Sequence, residues 1–183
     1  MNYCSQNTTL NMVLVSVISA SSLMAQVDPL PNAHAHNDYE HNRPLLDALD
    51  QGFTSVEADV YWWNGKLVVA HNLPHGEEAR QLLPTLEELY LKPLQQRIQD
   101  RGGKVYPGYD GVFFLMIDFK SGADETYATL IKTLEPYREM LHTANNPGPV
   151  TIFISGNRPI DQILQDQRSS FPSTAGRMTW YAT

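Results

Sequence analysis

The chain has 183 residues, 42% of them hydrophobic, with a mean hydropathy of −0.33, the profile of a globular protein with a sizeable core and not of a disordered tail. A net charge of −7 without any Lys/Arg cluster argues against nucleic acid as a partner, because that binding relies on basic patches that neutralise phosphates. The same balance disfavours a static anionic lipid surface.

No Lys or Arg precedes Arg43, and residues 12–24 form an apolar run too short to span a bilayer, which needs ~20 residues. The run reads as a secretory h-region with cleavage after Ala25, against the blander reading of a buried helix or N-terminal cap. Leu23 is bulky for the preceding recognition position and the basic n-region is missing. Residues 1–25 are thus expected to be a signal peptide, with a secreted or periplasmic product and no stable transmembrane anchor. The single cysteine, Cys4, falls inside the removed segment, so the mature chain needs no disulfide framework.

Residues 32–36 predict a short first strand. The helix after it has Pro44 near its start, Leu45, Leu46, Ala48 and Leu49 on its inner face and Gly52 as its stop. Strand two, residues 54–60, follows at once. Asn64-Gly65 is a type I′ hairpin signal between residues 60–63 and 67–70, a ribbon that returns His71 toward the strand end. Thr85-Leu-Glu-Glu88 is a capping box opening a helix with Leu86, Leu89, Tyr90 and Leu94, which Pro93 should bend or break. Gly102, Gly103, Pro107 and Gly108 mark a loop before strand three, residues 112–119. Asp124 is placed to cap a helix with Tyr127, Leu130, Ile131 and Leu134 inward, interrupted at Pro136. Residues 150–154 form a fourth strand and 159–167 a short helix; residues 178–183 read as the start of a fifth strand.

Alternating strands and helices predict an α/β fold with a parallel sheet. Polar, ionisable residues sit at the ends of segments that otherwise read as buried strands: His36, Glu57, Asp59, His71, Asp118 and Lys120. Burying an unpaired ion costs several kcal/mol at least, so chemistry is the better explanation. Side chains alternate along a strand, which points Glu57 and Asp59 the same way and Val56, Ala58 and Val60 the other way. Two carboxylates on one face are tolerable with a cation between them, and oxygen ligands suit Mg²⁺ or Ca²⁺. Asp118 and Lys120 repeat the two-residue spacing, directing a third carboxylate and an ammonium to the same centre.

The stretches Ala35-His-Asn-Asp-Tyr-Glu40, Pro44-Leu-Leu-Asp-Ala-Leu49, Gly52-Phe-Thr-Ser-Val-Glu-Ala-Asp-Val60 and Gly65-Lys-Leu-Val-Val-Ala-His71 resemble the phosphatidylinositol phospholipase C-like and glycerophosphodiester phosphodiesterase superfamily, most closely its altered-inheritance-of-mitochondria group. Thr85-Leu-Glu-Glu-Leu-Tyr-Leu-Lys-Pro-Leu94, Ile117-Asp-Phe-Lys120 and Ile154-Ser-Gly-Asn157 extend the likeness. The resemblance implies a TIM-barrel phosphodiesterase in which His36 and His71 are the acid/base pair, Glu57, Asp59 and Asp118 hold a divalent ion and Lys120 assists the phosphate. Its substrate would be a small-molecule or lipid-derived phosphodiester. The chain departs from the family where Asn37-Asp38 replaces Arg-Gly after the first His and Asp118 stands where Glu is usual. Beyond the signal, roughly 160 residues remain against ~250 for a complete barrel, so a truncated barrel of four strands and the start of a fifth is expected.

Competing assignments are a zinc metallohydrolase of the amidohydrolase type using His34 and His36, and an inactive, truncated secreted binding module. Blander roles exist as well: Glu57 and Asp59 as partners of Arg43 or Lys66, Lys120 as a structural partner of Asp118, and His41, His75 and His142 as ordinary polar residues. Trp62 and Trp63 either line an entrance or pack under the hairpin loop, and Tyr39 is equally open.

Overall fold

Hydrophobic alternation builds the sheet. A computed structural model of the chain describes residues 27–168; the expected signal peptide, Cys4 and the fifth-strand segment at 178–183 lie outside the described residues. The strands are β1 (Leu30–Ala35), β2 (Phe53–Trp63), β3 (Lys66–Val69), β4 (Phe113–Phe119), β5 (His142–Thr143), β6 (Asn146–Pro147) and β7 (Val150–Gly156). The α-helices are α1 (Leu46–Asp50), α2 (Glu77–Gln81), α3 (Lys92–Asp100), α4 (Ala123–Leu134) and α5 (Ile160–Arg168). Strands β1, β2, β4 and β7 pair in parallel in that order, and β3 adds antiparallel to β2. Parallel strands laid side by side in chain order curl into a half-barrel, consistent with a partial TIM-like fold. Among the described residues, no helix is long and apolar enough to cross a membrane.

One face of the sheet carries Val56, Ala58, Val60, Leu115, Ile117, Phe119, Val150, Ile152 and Ile154, all buried in one cluster with Leu49, Leu94, Tyr127, Leu130 and Leu134 of the helices. The opposite face is laid out in layers by the register. Ser55 pairs with Phe114 and Phe114 with Thr151; Glu57 pairs with Met116 and Met116 with Phe153; Asp59 pairs with Asp118 and Asp118 with Ser155. This inner face opens on a cavity of about 560 Å³ lined by His34, Phe114, Met116, His142 and Phe153 among others.

Several local expectations hold. Asn64 and Gly65 both have positive φ, 46° and 74°, as a type I′ turn requires, and Trp63 faces Lys66 across it. The capping box forms: the Thr85 backbone N–H donates to Glu88 Oε2 at 2.8 Å and the Glu88 N–H to Thr85 Oγ1 at 3.3 Å. Pro136 ends α4, followed by a 3₁₀ turn over Glu135–Met140.

Others need correction. Pro93 neither breaks nor stops its helix, which runs on to Asp100. A π turn over Glu87–Leu91 precedes it, with the Lys92 N–H bonded to the Glu87 carbonyl, and this wider turn accommodates a residue that clashes with the carbonyl four back and lacks an N–H. Asp124 lies in the first turn of α4 and Gly122 takes the cap position. Leu46 faces solvent, because Leu45 adopts φ +64° and turns α1 only after it. His142 lies in the short strand β5.

Leu45 is held in that unfavourable conformation by Asp38, which is fully buried in the 3₁₀ turn Asp38–Glu40 after β1. Asp38 Oδ2 accepts from the Leu45 N–H at 2.5 Å and the Tyr90 hydroxyl at 2.9 Å, so one carboxylate ties the β1–α1 loop to the helix over β2. Burial pushes the Asp38 carboxyl above the ordinary aspartate range, against the pull of the Leu45 and Tyr90 bonds.

Thr85→Ala removes the hydroxyl that accepts from the Glu88 N–H and donates to Glu88 Oε2, leaving only the backbone half of the capping box, and is expected to cost about 1 kcal/mol, read as a lower urea midpoint at unchanged slope; an unmoved midpoint would refute the cap. For Asp38, a raised folded-state pKa means the folded chain keeps a proton that the unfolded chain releases, so ionisation erodes stability as pH rises. Relative to Asp38→Asn, the wild type should therefore lose stability as pH rises above the ordinary aspartate range of about 4. A stability difference independent of pH contradicts this.

Candidate active site

Glu57 and Asp59 leave β2 on the inner face, and Asp118 leaves β4 directly beside Asp59. All three are buried, Asp59 completely, and one oxygen from each lies within 4.8 Å of the others. Lys120 follows β4 at once, its N–H bonded to the Val60 carbonyl at 2.9 Å. Its Nζ forms an ion pair with Asp118 Oδ2 and lies 3.2 Å from Asp59 Oδ2. The hydrogen bond to Asp118, more than the neighbouring Asp59, holds the ammonium above the ordinary lysine range despite partial burial. Asp118 Oδ1 accepts from Ser155 Oγ at 2.7 Å. Gly156, at φ +69°, sits so close that a methyl group there would overlap Asp118 Oδ1 and the Phe119 carbonyl, so β7 must end in glycine for Asp118 to hold this place.

Three carboxylates against one ammonium leave an excess of negative charge in a buried place, which is costly unless a cation shares it. Asp59 Oδ1 is buried with no hydrogen-bond partner among the described residues. An unpartnered oxygen on one of three clustered carboxylates fits a hard divalent cation such as Mg²⁺ or Ca²⁺.

The two expected histidines flank this cluster. His36, just past β1, is largely exposed and places Nε2 3.4 Å from Glu57 Oε2, which also accepts from the Asn37 N–H at 3.1 Å. His71, delivered by the β2–β3 ribbon, places Nδ1 3.5 Å from Asp59 Oδ2. Its carbonyl accepts from the Tyr61 hydroxyl at 3.2 Å. All six expected site residues thus converge on one end of the sheet.

Tyr39 joins them, its hydroxyl 2.7 Å from Asp59 Oδ2, 3.0 Å from His71 Nδ1 and 3.1 Å from Asn37 Oδ1. Burial, then the Asp59 carboxylate, push its phenol well above the ordinary tyrosine range. Sequence reasoning left Tyr39 open, noted Asp38 only as a departure from the family pattern, and gave Ser155 and Gly156 no role at the site. The available signal was the polar Asn37-Asp38-Tyr39 immediately after the strand-end His36.

The blander pairings separate. Arg43 bonds Asp47 and Asp50, while Lys120 does pair with Asp118 as that reading required. His34 bonds Ser55 at 2.7 Å, a layer away from the carboxylates. Trp62, 40% exposed, lines a surface pocket with Gly65, Thr129 and Pro136, set apart from the carboxylate face.

The family model described as AIM6-like phosphodiesterase domain matches residues 21–171. Altered inheritance of mitochondria protein 6 from Kluyveromyces lactis is 34% identical, over 80% of this chain and 42% of that protein. Its homolog from Arthroderma benhamiae is 32% identical, over 74% of this chain and 50% of that protein, and the Eremothecium gossypii protein is 34% identical, over 79% and 41%. The chain spans half or less of the length of these relatives. No solved structure matches it. A matched region that contains every element of the described site assigns the chain to the AIM6-like phosphodiesterase domain family.

Proposed function

We propose that the site belongs to a divalent-cation-dependent phosphoric diester hydrolase or lyase acting on glycerophosphodiester or phospholipid-like substrates. The observation that carries this reading is the convergence of three buried carboxylates within 4.8 Å, flanked by two imidazoles, in a phosphodiesterase-domain family. Glu57, Asp59 and Asp118 would hold Mg²⁺ or Ca²⁺. Because the chain covers half or less of its relatives, the activity of the whole protein is part of the proposal.

A phosphodiester is anionic and its leaving alkoxide is poor. When bound, the cation supplies Lewis-acid stabilisation of charge on a phosphoryl oxygen. Lys120 adds a fixed positive charge beside it, oriented by Asp118 and Asp59. One imidazole of the His36/His71 pair takes the proton of the attacking hydroxyl and the other protonates the leaving oxygen, roles that histidine fills near neutral pH. The hydroxyl belongs either to water or to the substrate, in which case a cyclic phosphate forms.

Support from the N-terminal segment is separate. The apolar run at 12–24 with a small residue at Ala25 favours a secreted or periplasmic protein, for which the expected mature N-terminus is Gln26; a processed protein still carrying Met1 defeats that part.

Turnover of bis(p-nitrophenyl) phosphate is expected to vanish with EDTA and return with Mg²⁺ or Ca²⁺. His36→Ala and His71→Ala should each lower kcat by about 10²–10⁴-fold. Calorimetric titration with MgCl₂ and CaCl₂ checks the cation site apart from turnover, with binding lost in Glu57→Gln and Asp59→Asn. Activity indifferent to chelator, or unchanged in His36→Ala, would sink the assignment.

A further inference from the structure

The Tyr39 hydroxyl touches three polar groups at once and owns a single proton. Asp59 Oδ2 is nearest at 2.7 Å, with His71 Nδ1 at 3.0 Å and the Asn37 amide at 3.1 Å. A phenol offers one donor and accepts through its lone pairs, so the proton can go to only one neighbour. If it went to His71 Nδ1, the phenol oxygen would meet the Asp59 carboxylate lone pair to lone pair at 2.7 Å. Donation to Asp59 removes that repulsion and makes a charge-assisted bond, roughly twice as strong as a neutral one.

The remaining contacts then follow. With its proton on Asp59, the phenol oxygen can only accept from His71, so His71 Nδ1 must carry the hydrogen. The second acceptor near Nδ1, Asp59 Oδ2 at 3.5 Å, favours the same form. A half-turn of the Asn37 amide, whose ends interchange readily, lets its Nδ2 donate to the phenol oxygen as well. In this assignment every neighbour of the hydroxyl is satisfied.

We propose that Tyr39 is a positioning residue that locks His71 in its Nδ1–H tautomer against Asp59, leaving Nε2 as the nitrogen that exchanges protons with the substrate. The proposal rests on the acid–base role assigned to His71 above. The same hydroxyl, together with Lys120, occupies Asp59 Oδ2 and leaves Oδ1 as the buried oxygen without a partner among the described residues. One group thus orients an imidazole and a cation ligand together, as partners behind metal ligands commonly do.

Tyr39→Phe removes only the hydroxyl and keeps the ring, which packs against the core. Two-bond ¹H–¹⁵N spectra of the cation-free protein report directly which ring nitrogens of each histidine carry hydrogen. Wild-type His71 should be the Nδ1–H form and should lose that preference in Tyr39→Phe. A wild-type His71 in the Nε2–H form, or an identical tautomer in both proteins, overturns the proposal. The wild-type spectrum decides by itself should the variant not fold. In turnover, Tyr39→Phe should lower kcat by about 10–100-fold with KM within about twofold, because the hydroxyl acts on His71 and not on bound substrate; an unchanged kcat counts against it. A wild type with no phosphodiesterase activity would defeat the functional reading while the tautomer measurement still judges Tyr39.

Discussion

The structure turns on three carboxylates held side by side at the end of a parallel sheet with one ammonium among them. Placing Glu57, Asp59 and Asp118 in a buried cluster is costly, and neighbours meet only part of the cost: the Asn37 N–H, the Tyr39 hydroxyl, Ser155 and Lys120. What prevents the strands from escaping the repulsion is the opposite face. Val56, Ala58 and Val60 lie against the helices on one strand and Leu115 and Ile117 on the next, and a slip of one residue would drive the acids into that apolar layer while exposing its aliphatic side chains. The core therefore fixes the register, and the register fixes the site.

The loop after β1 is the second determinant. His36, Asn37 and Tyr39 all reach the carboxylates, yet none lies on a strand. Asp38, in their midst, points the other way and anchors on Leu45 and Tyr90. A loop with one residue buried as a tether and its neighbours turned toward the site combines rigidity with access, which side chains on the strands alone could not supply for an exposed imidazole such as His36.

The strand-borne part of this arrangement was legible because it follows a period of two. Glu57 and Asp59 on one face, Asp118 beside them and His71 returned by the Asn64-Gly65 turn all follow from alternation and turn chemistry. The fold was readable on the same basis, since alternating strands and helices predict the parallel sheet that is found. What escaped depends on contacts between distant residues. Tyr39 acquires its meaning from Asp59 and His71, 20 and 32 positions away. The positive φ of Leu45 comes from a buried carboxylate seven residues earlier, and it is why Leu46 faces outward against the helical pattern. The π turn before Pro93 is similar: proline signals trouble for an α-helix, but whether the chain breaks or widens is settled by the packing of Tyr90, Leu91 and Leu94.

The layer beneath the carboxylates bears on how strongly they act. Glu57 is flanked in register by Met116, and Met116 by Phe153, with Phe114 in the next layer and 37% exposed. The acids thus stand between a polar rim of imidazoles and an apolar floor. A charge beside hydrocarbon interacts more strongly with its partners than one beside water, so the pull on Lys120 grows as water is displaced from the 560 Å³ hollow. In a complete barrel the interior is filled by side chains of the facing strands. Closure of the inner face would therefore act on the carboxylates through the same dielectric, strengthening their attraction for any positive charge held among them.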